Sequence, residues 1–409
     1  MGYTKQAIKG ISWIAALRTS TRIVAIVRTA LLARILTPSQ FGIFGIASLV
    51  LAFFEVLTET GINVFLVQQK KDVKEYINSA WFISISRGIF LSVIIVLLAP
   101  FIADFFNSKD SYSLLLLIAL VPLIKGFINP AIITFQKELK FQNEFWIRFI
   151  LFLIESSLVV ILASVTKNVS SFVWGLIVGA VIEVVLSFVF IKPLPKIKFE
   201  LASIKVIIGK GKWLTALSIF SYIAREGDNA VVGKILGTSS LGLYQVAYKL
   251  STLPLSEITD VLNKVVFPLY VKISDDYKRL FRAFFKISLI NCFTAIILGT
   301  IIFIYAKEII LILVGDRWIN AAPVVRILTV YGSLRAIFGT FSPLFLAVGR
   351  QDYVASMTFL RVVGLGITIV PFVMTYGIMG AGYAAIFSII IELPVILYYA
   401  KKIYKERVT

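Results

Sequence analysis

Apolar runs of about 20 residues recur from one end of the chain to the other, and they limit its possible folds severely. Each run can cross roughly 30 Å of hydrocarbon, where backbone polar groups must be bonded within the protein. An α-helix meets that demand within a single segment. The chain is 59% hydrophobic and 15% charged, whereas soluble domains are about 45–50% apolar and 25% charged. The sequence therefore predicts an all-α, polytopic membrane protein.

Hydropathy predicts about twelve spans, and basic loop residues alternate sharply between the two sides. Lysine and arginine concentrate near the N-terminus, in every second loop and near the C-terminus, as in 192–212 and 401–407. By the positive-inside bias, both termini are expected in the cytoplasm, with the chain in the cell (inner or plasma) membrane. The predicted spans are 11–34, 42–66, 79–103, 112–135, 145–166, 170–191, 213–236, 242–269, 284–305, 322–347, 353–375 and 378–400.

The two halves of the chain resemble each other. Arg34-Ile-Leu-Thr-Pro-Ser-Gln-Phe-Gly-Ile-Phe44 aligns with Lys234-Ile-Leu-Gly-Thr-Ser-Ser-Leu-Gly-Leu-Tyr244 at an offset of 200 residues. We therefore predict an N-lobe at 1–195, a cytoplasmic linker at 196–212 and a C-lobe at 213–409. Six spans in each lobe give both repeats the same orientation, a pattern typical of transporters that bind substrate between two lobes.

Several predicted spans carry basic residues at bilayer depth, where an ionised side chain costs at least about 2.5 kcal/mol. On the first span, Arg22 lies about 40° from Arg18, and Arg28 about 80° to the other side, so all three can share one face. Basic residues near span ends, such as Lys286 and Arg148, are expected to snorkel to the interface. For the deeper ones we predict a cationic surface between the lobes, because arginine binds phosphate bidentately and keeps its proton. The predicted substrate-binding residues are Arg18, Arg22, Arg28, Arg87, Lys125, Arg225 and Arg335.

Acidic residues within the spans have two possible roles. Glu55 and Glu59 lie one turn apart on the second span and can share a face. They either pair with nearby arginines or form a proton or sodium site that couples transport to an ion gradient. Asp228 is a further candidate for ion coupling, and its spacing of three residues from Arg225 predicts that these two side chains pair.

The sequence lacks the usual residues of a catalytic or metal centre. It has no histidine and a single cysteine, Cys292, so it lacks the commonest general base and zinc ligand. It carries no Gly-rich phosphate loop and no nucleophile–base set. We expect no enzyme activity, no metal and no cofactor. The net charge of +19 is divided between loops and spans, so nucleic acid is not an expected partner.

Six sequence strings carry a resemblance to a known family. They are Leu36–Phe44, Thr60–Lys70, Phe135–Phe141, Leu241–Lys249, Val266–Tyr270 and Gly315–Pro323. With them the chain resembles the Wzx-type polysaccharide and lipopolysaccharide flippases, more narrowly the colanic-acid and teichuronic-acid exporters. These belong to the multidrug/oligosaccharidyl-lipid/polysaccharide exporter superfamily.

The resemblance implies a substrate and a mechanism. The expected substrate is an undecaprenyl-diphosphate-linked oligosaccharide, moved from the inner to the outer leaflet by alternating access for surface polysaccharide synthesis. Expected partners are this lipid-linked oligosaccharide diphosphate, membrane lipids, and the polysaccharide polymerase and glycosyltransferases of the same pathway. The alternatives are a drug/cation antiporter of the same superfamily, expected to be rich in intramembrane carboxylates, and a membrane glycan polymerase or ligase, expected to have large outward loops.

Overall fold

A computed structural model describes residues 3–58, 74–196 and 201–408, and places the side chains of 10, 12–58, 76–196 and 218–405. Helices joined by short turns make up these ranges, which contain no β-strand. Residues 59–66, which include Glu59 and form the last part of the predicted span 42–66, lie outside the described residues.

Long helices follow one another along the chain. In the first part these are α1 (Tyr3–Ile35), α2 (Pro38–Leu57), α3 (Lys74–Phe105), α4 (Lys109–Ile118), α5 (Leu120–Lys125), a 3₁₀ turn (Pro130–Ile133), α6 (Thr134–Lys137), α7 (Phe141–Thr166) and α8 (Ser170–Phe190). The second part contains α9 (Leu201–Lys272), α10 (Tyr277–Ile304), α11 (Ala306–Leu313), a 3₁₀ turn (Asp316–Ala321), α12 (Ala322–Gly339), α13 (Phe341–Ala347), α14 (Gln351–Tyr376) and α15 (Ile378–Val408).

Helix is present at each of the predicted span positions, as far as they are described. Eight helical stretches of the described ranges are long and apolar enough to cross a membrane, by length and composition. The pair Lys109–Lys125 and Pro130–Lys137, bent by 70°, gives up to nine. The predicted spans outside that set, 11–34, 213–236 and 242–269, are helical too. The chain is thus a multi-pass, all-α membrane protein.

The repeated string places a helix break at the same point in both halves. In the first half, the side chain of Thr37 accepts the Gln40 N–H at 3.3 Å, and Gln40 Oε1 accepts the Thr37 N–H at 2.9 Å. This reciprocal cap starts α2, with Pro38 at its first turn. Two hundred residues later, Gly237 adopts φ 81° and ψ −178° inside α9. Gly237 thereby divides α9 into a first arm, 201–236, and a second arm, 238–272.

The chain divides into two compact units, residues 1–226 and 227–409, which we call the first and the second unit. This division falls after the predicted linker, whose residues 201–212 are helical and belong to α9. The lobe boundaries predicted from the sequence stay a prediction.

The first unit is assembled by packing α1 on α7, α7 on α8, and α3 on α4 and α5. Close backbone approach holds α3 against α5, since a Cβ atom on Gly88 would lie 2.5 Å from the carbonyl oxygen of Pro122. Near the start of α1, the ring of Trp13 meets that of Phe145 at a centroid distance of 5.1 Å. These contacts fix α1 and α3, which carry four of the predicted binding arginines.

The second unit packs α14 on α15, and α12 on both α10 and α15. Its largest described apolar cluster includes Tyr270, Phe284, Phe345 and Tyr353. The rings of Tyr353 and Tyr399 stack in parallel with a centroid distance of 3.7 Å. This cluster joins α9, α10, α13, α14 and α15.

Candidate functional site

The three arginines of α1 have different surroundings. Arg18 and Arg22 are exposed. Arg28 is turned toward α7, where its Nη1 lies 3.0 Å from Glu155 Oε1 and its guanidinium lies 5.1 Å from the ring centroid of Phe152. Arg28 and Glu155 are both about one-fifth exposed, so their charges neutralise each other in a largely desolvated contact.

Arg87 of α3 binds the C-terminal end of α2. Its Nη2 donates to the backbone oxygen of Glu55 at 2.6 Å, and its Nε donates to Thr58 Oγ1 at 2.9 Å. The last carbonyls of a helix lack intrahelical donors and carry partial negative charge, so a guanidinium there caps the helix. The side chain of Glu55 itself is half-buried.

The remaining predicted cations of the first unit are exposed. Lys125 is the last residue of α5, and Arg225 lies on the first arm of α9. For Lys125 and Arg225, contact with the substrate stays a prediction. The same holds for Arg18 and Arg22.

Asp228 is buried in the second unit, with 6% of its surface exposed. Its carboxylate accepts the hydroxyl of Tyr244 at 2.8 Å and the backbone N–H of Asn229 at 2.7 Å. The predicted pairing of Asp228 with Arg225 is wrong, because the buried carboxylate of Asp228 accepts from Tyr244, on the second arm of α9, while the side chain of Arg225 is exposed. Sequence spacing along one helix could not show that contact.

Arg335 of α12 is held by tyrosine hydroxyls. Its Nη1 donates to Tyr248 Oη at 3.0 Å, and Tyr331, one turn earlier on α12, lies beside the same guanidinium. The rings of Tyr248 and Tyr331 are 6.5 Å apart between centroids. Among the described residues, no carboxylate forms an ion pair with Arg335. Its positive charge is hydrogen-bonded but not neutralised by direct contact.

A second charged pair of this unit joins α14 and α15. Glu392 is 7% exposed, and its Oε2 lies 3.7 Å from Arg361 Nη1. Arg335 also acts electrostatically on Glu392 and on Asp228, without contact. The sequence predicted no role for Glu392. Its isolation within the apolar run of α15 was the available signal.

Comparison with known proteins identifies the family. Residues 31–323, more than half of the chain, match the family described as polysaccharide biosynthesis protein. The chain belongs to that family. A membrane protein of the cps region of Klebsiella pneumoniae is 28% identical over 89% of this chain and 76% of its own length. The lipopolysaccharide biosynthesis protein WzxC of Escherichia coli K12 is 26% identical over 86% and 72%. The teichuronic acid biosynthesis protein TuaB of Bacillus subtilis is 22% identical over 85% and 73%.

Solved structures show which fold this polysaccharide biosynthesis protein has. The lipid II flippase MurJ, in an inward closed conformation, matches with a TM-score of 0.76 and 17% identity over 96% of this chain and 87% of its own. An inward-facing multidrug resistance transporter of the MATE family matches with a TM-score of 0.69 and 15% identity over 97% and 99%. The predicted resemblance to polysaccharide exporters of this superfamily is confirmed.

Proposed function

We propose that the chain is a flippase which moves an undecaprenyl-diphosphate-linked oligosaccharide from the inner to the outer leaflet for surface polysaccharide synthesis. Family membership and the flippase-like fold support a transporter rather than an enzyme. The WzxC and TuaB relatives are named for lipopolysaccharide and teichuronic acid biosynthesis, which supports a glycan as the transported group. Membrane lipids and the polymerase and glycosyltransferases of that pathway are the proposed partners.

Arg335 is the observation that carries this proposal. A guanidinium inside a membrane protein is normally neutralised, as Arg28 is by Glu155. Arg335 instead meets only tyrosines by direct contact in the described part of the chain. An anionic substrate supplies a counter-ion in direct contact with the guanidinium, and a diphosphate matches the planar donor fork of arginine. A drug/cation antiporter would place a carboxylate, not an arginine, at such a position.

Directional movement is proposed to occur by alternating access. Glu55, Glu59 and Asp228 stay predicted ion-coupling residues. Cytoplasmic termini in the plasma membrane are likewise part of the proposal, on the strength of the alternating loop charge.

Lipid translocation by the purified protein tests the proposed function. Proteoliposomes would carry a fluorescent undecaprenyl-diphosphate-linked sugar, and a membrane-impermeant quencher would report the fraction that reaches the outer leaflet. We expect Arg335→Ala to slow translocation about tenfold or more, because charge-assisted bonds to the diphosphate are lost.

Arg148→Ala is the matched control for that measurement. Arg148 is 44% exposed and pairs with Glu144 one turn away on α7, so its loss should leave the rate unchanged. Equal rates for wild type and Arg335→Ala, or no translocation by the wild type above protein-free vesicles, would contradict the proposed function.

A further inference from the structure

Three half-buried arginines, on α1, α14 and α12, have different partners for their positive charge. Arg28 pairs with Glu155, and Arg361 pairs with Glu392. Arg335 contacts phenols instead. A phenol hydroxyl accepts a hydrogen bond but carries no charge at neutral pH, so it orients a guanidinium without occupying it as a counter-ion.

Helix packing brings Tyr248 to Arg335. The second arm of α9 and α12 approach closely at Gly332, where an added Cβ atom would lie 3.3 Å from the Cα of Thr252. Tyr248 lies one turn before Thr252, and Arg335 lies three residues after Gly332. The small residue therefore lets the backbones approach until the phenol oxygen reaches the guanidinium.

The ring of Tyr248 is itself supported from behind. Tyr244, one turn earlier, is fully buried, and its ring centroid lies 6.5 Å from that of Tyr248. The hydroxyl of Tyr244 is fixed in turn by the carboxylate of Asp228. A chain of contacts thus runs from Asp228 through Tyr244 and Tyr248 to Arg335.

We propose that Tyr248, assisted by Tyr331, is a positioning residue that holds the Arg335 guanidinium in the orientation that binds the substrate diphosphate. The inference rests on the proposed function and adds a residue to it. The two tyrosines account for only part of the five N–H donors of arginine. The remaining donors serve an oxyanion, and no resident carboxylate competes for them by direct contact in the described structure. Preorganisation of this kind strengthens binding because the side-chain ordering is completed before the ligand arrives.

Lipid binding by the purified protein in nanodiscs tests Tyr248. The two probes are undecaprenyl diphosphate and the neutral alcohol undecaprenol. We expect Tyr248→Phe to weaken binding of the diphosphate about tenfold, the worth of one hydrogen bond to a charged group. Binding of undecaprenol should not change, since the lost hydroxyl orients only the cation.

Tyr270→Phe is the matched control, because it removes a phenol hydroxyl from the same unit. Tyr270 is 1% exposed, and its hydroxyl has no hydrogen-bond partner among the described residues. Both lipids should bind this variant as they bind the wild type. A loss in Tyr270→Phe equal to that in Tyr248→Phe would mean that any buried phenol is needed for folding, and would overturn the positioning role.

Arg335→Lys provides a second, independent variant. It keeps the charge but loses the planar fork, so it should show the same selective loss of diphosphate binding. In an Arg335→Lys background, Tyr248→Phe should then add less than a twofold change, because the two residues act as one unit. A full tenfold addition in that background would contradict the proposal.

The same measurements separate this inference from the proposed function. Diphosphate binding that is lost in Arg335→Ala but unchanged in Tyr248→Phe would overturn the positioning role alone. Wild-type protein that binds undecaprenyl diphosphate no better than undecaprenol would overturn the proposed function itself.

Discussion

Arginine side chains of the described structure meet three kinds of partner, and each kind fixes a different role. Arg28 meets a carboxylate, Arg87 meets a helix C-terminus, and Arg335 meets phenols. A carboxylate removes the net charge, and a helix end offsets part of it through partial charges. A phenol leaves the positive charge of the guanidinium in place. The six arginines and one lysine selected from the sequence are therefore not equivalent, and Arg28 is the one for which a structural role is best supported.

Substitution of Arg28 and Glu155 tests that structural role. Arg28→Met leaves the Glu155 carboxylate without its partner and should lower the free energy of unfolding by about 1–3 kcal/mol. The double variant Arg28→Met/Glu155→Leu removes both charges and should recover most of that loss. Thermal unfolding in detergent measures both effects, and translocation by the double variant should stay close to that of the wild type. Export abolished in a stably folded double variant would instead support the predicted substrate contact of Arg28.

Helix breaks lie at equivalent positions in the two halves of the chain. The first half uses the Thr37 cap and Pro38, and the second half uses the backbone of Gly237. With φ 81° and ψ −178°, Gly237 occupies a region open almost only to glycine. The turn there lets Tyr244 reach Asp228, nine residues before the break. One glycine thus decides the partner of a buried carboxylate.

Gly237→Ala tests the demand for this backbone conformation. A Cβ atom there would meet no described residue within 4 Å, so the cost is conformational and should be about 1–3 kcal/mol of unfolding free energy. Gly366→Ala is the control, because Gly366 lies inside α14 with equally open space and should be neutral or slightly stabilised by the better helix former. Thermal melting in detergent compares them. Identical melting temperatures for both variants would be inconsistent with a turn that requires glycine.

The whole molecule combines an apolar helical body with basic loops that alternate in sequence. This alternation predicts which loops face the cytoplasm. Lys140 and Lys272 are exposed residues of the predicted cytoplasmic side, and Asp110 and Lys307 are exposed residues of the opposite side.

Cysteine accessibility in intact cells tests the predicted orientation. In a Cys292→Ser background, a membrane-impermeant maleimide should label single cysteines at Asp110 and Lys307. It should reach those at Lys140 and Lys272 only after the cells are opened. Labelling in the reverse pattern would place the termini outside. Export of the glycan by each single-cysteine protein is the control that the fold is retained.

Patterns that repeat along the chain could be recognised in the sequence, because they depend on the spacing of residues within short stretches of the chain. Apolar run length predicted the helices, and the gaps between predicted spans, 34–42 and 236–242, contain the helix breaks at Thr37 and Gly237. The string Val266–Tyr270 helped to indicate the family, whose membership is confirmed. Where helix period alone was used for pairing, as for Arg225 with Asp228, the prediction failed.

The sequence by itself determined the class of protein, the positions of its helices and the set of charged residues placed in the membrane. Whether an apolar run is buried as a helix depends on its composition and its hydrophobic period. Both can be seen in a short stretch of the sequence. Only the tertiary structure decided which charge meets which partner. Contacts such as Arg28 with Glu155 and Arg335 with Tyr248 join residues that are 127 and 87 positions apart. Such contacts depend on how closely helix backbones approach and where they turn. The hydrophobic pattern specifies neither of these.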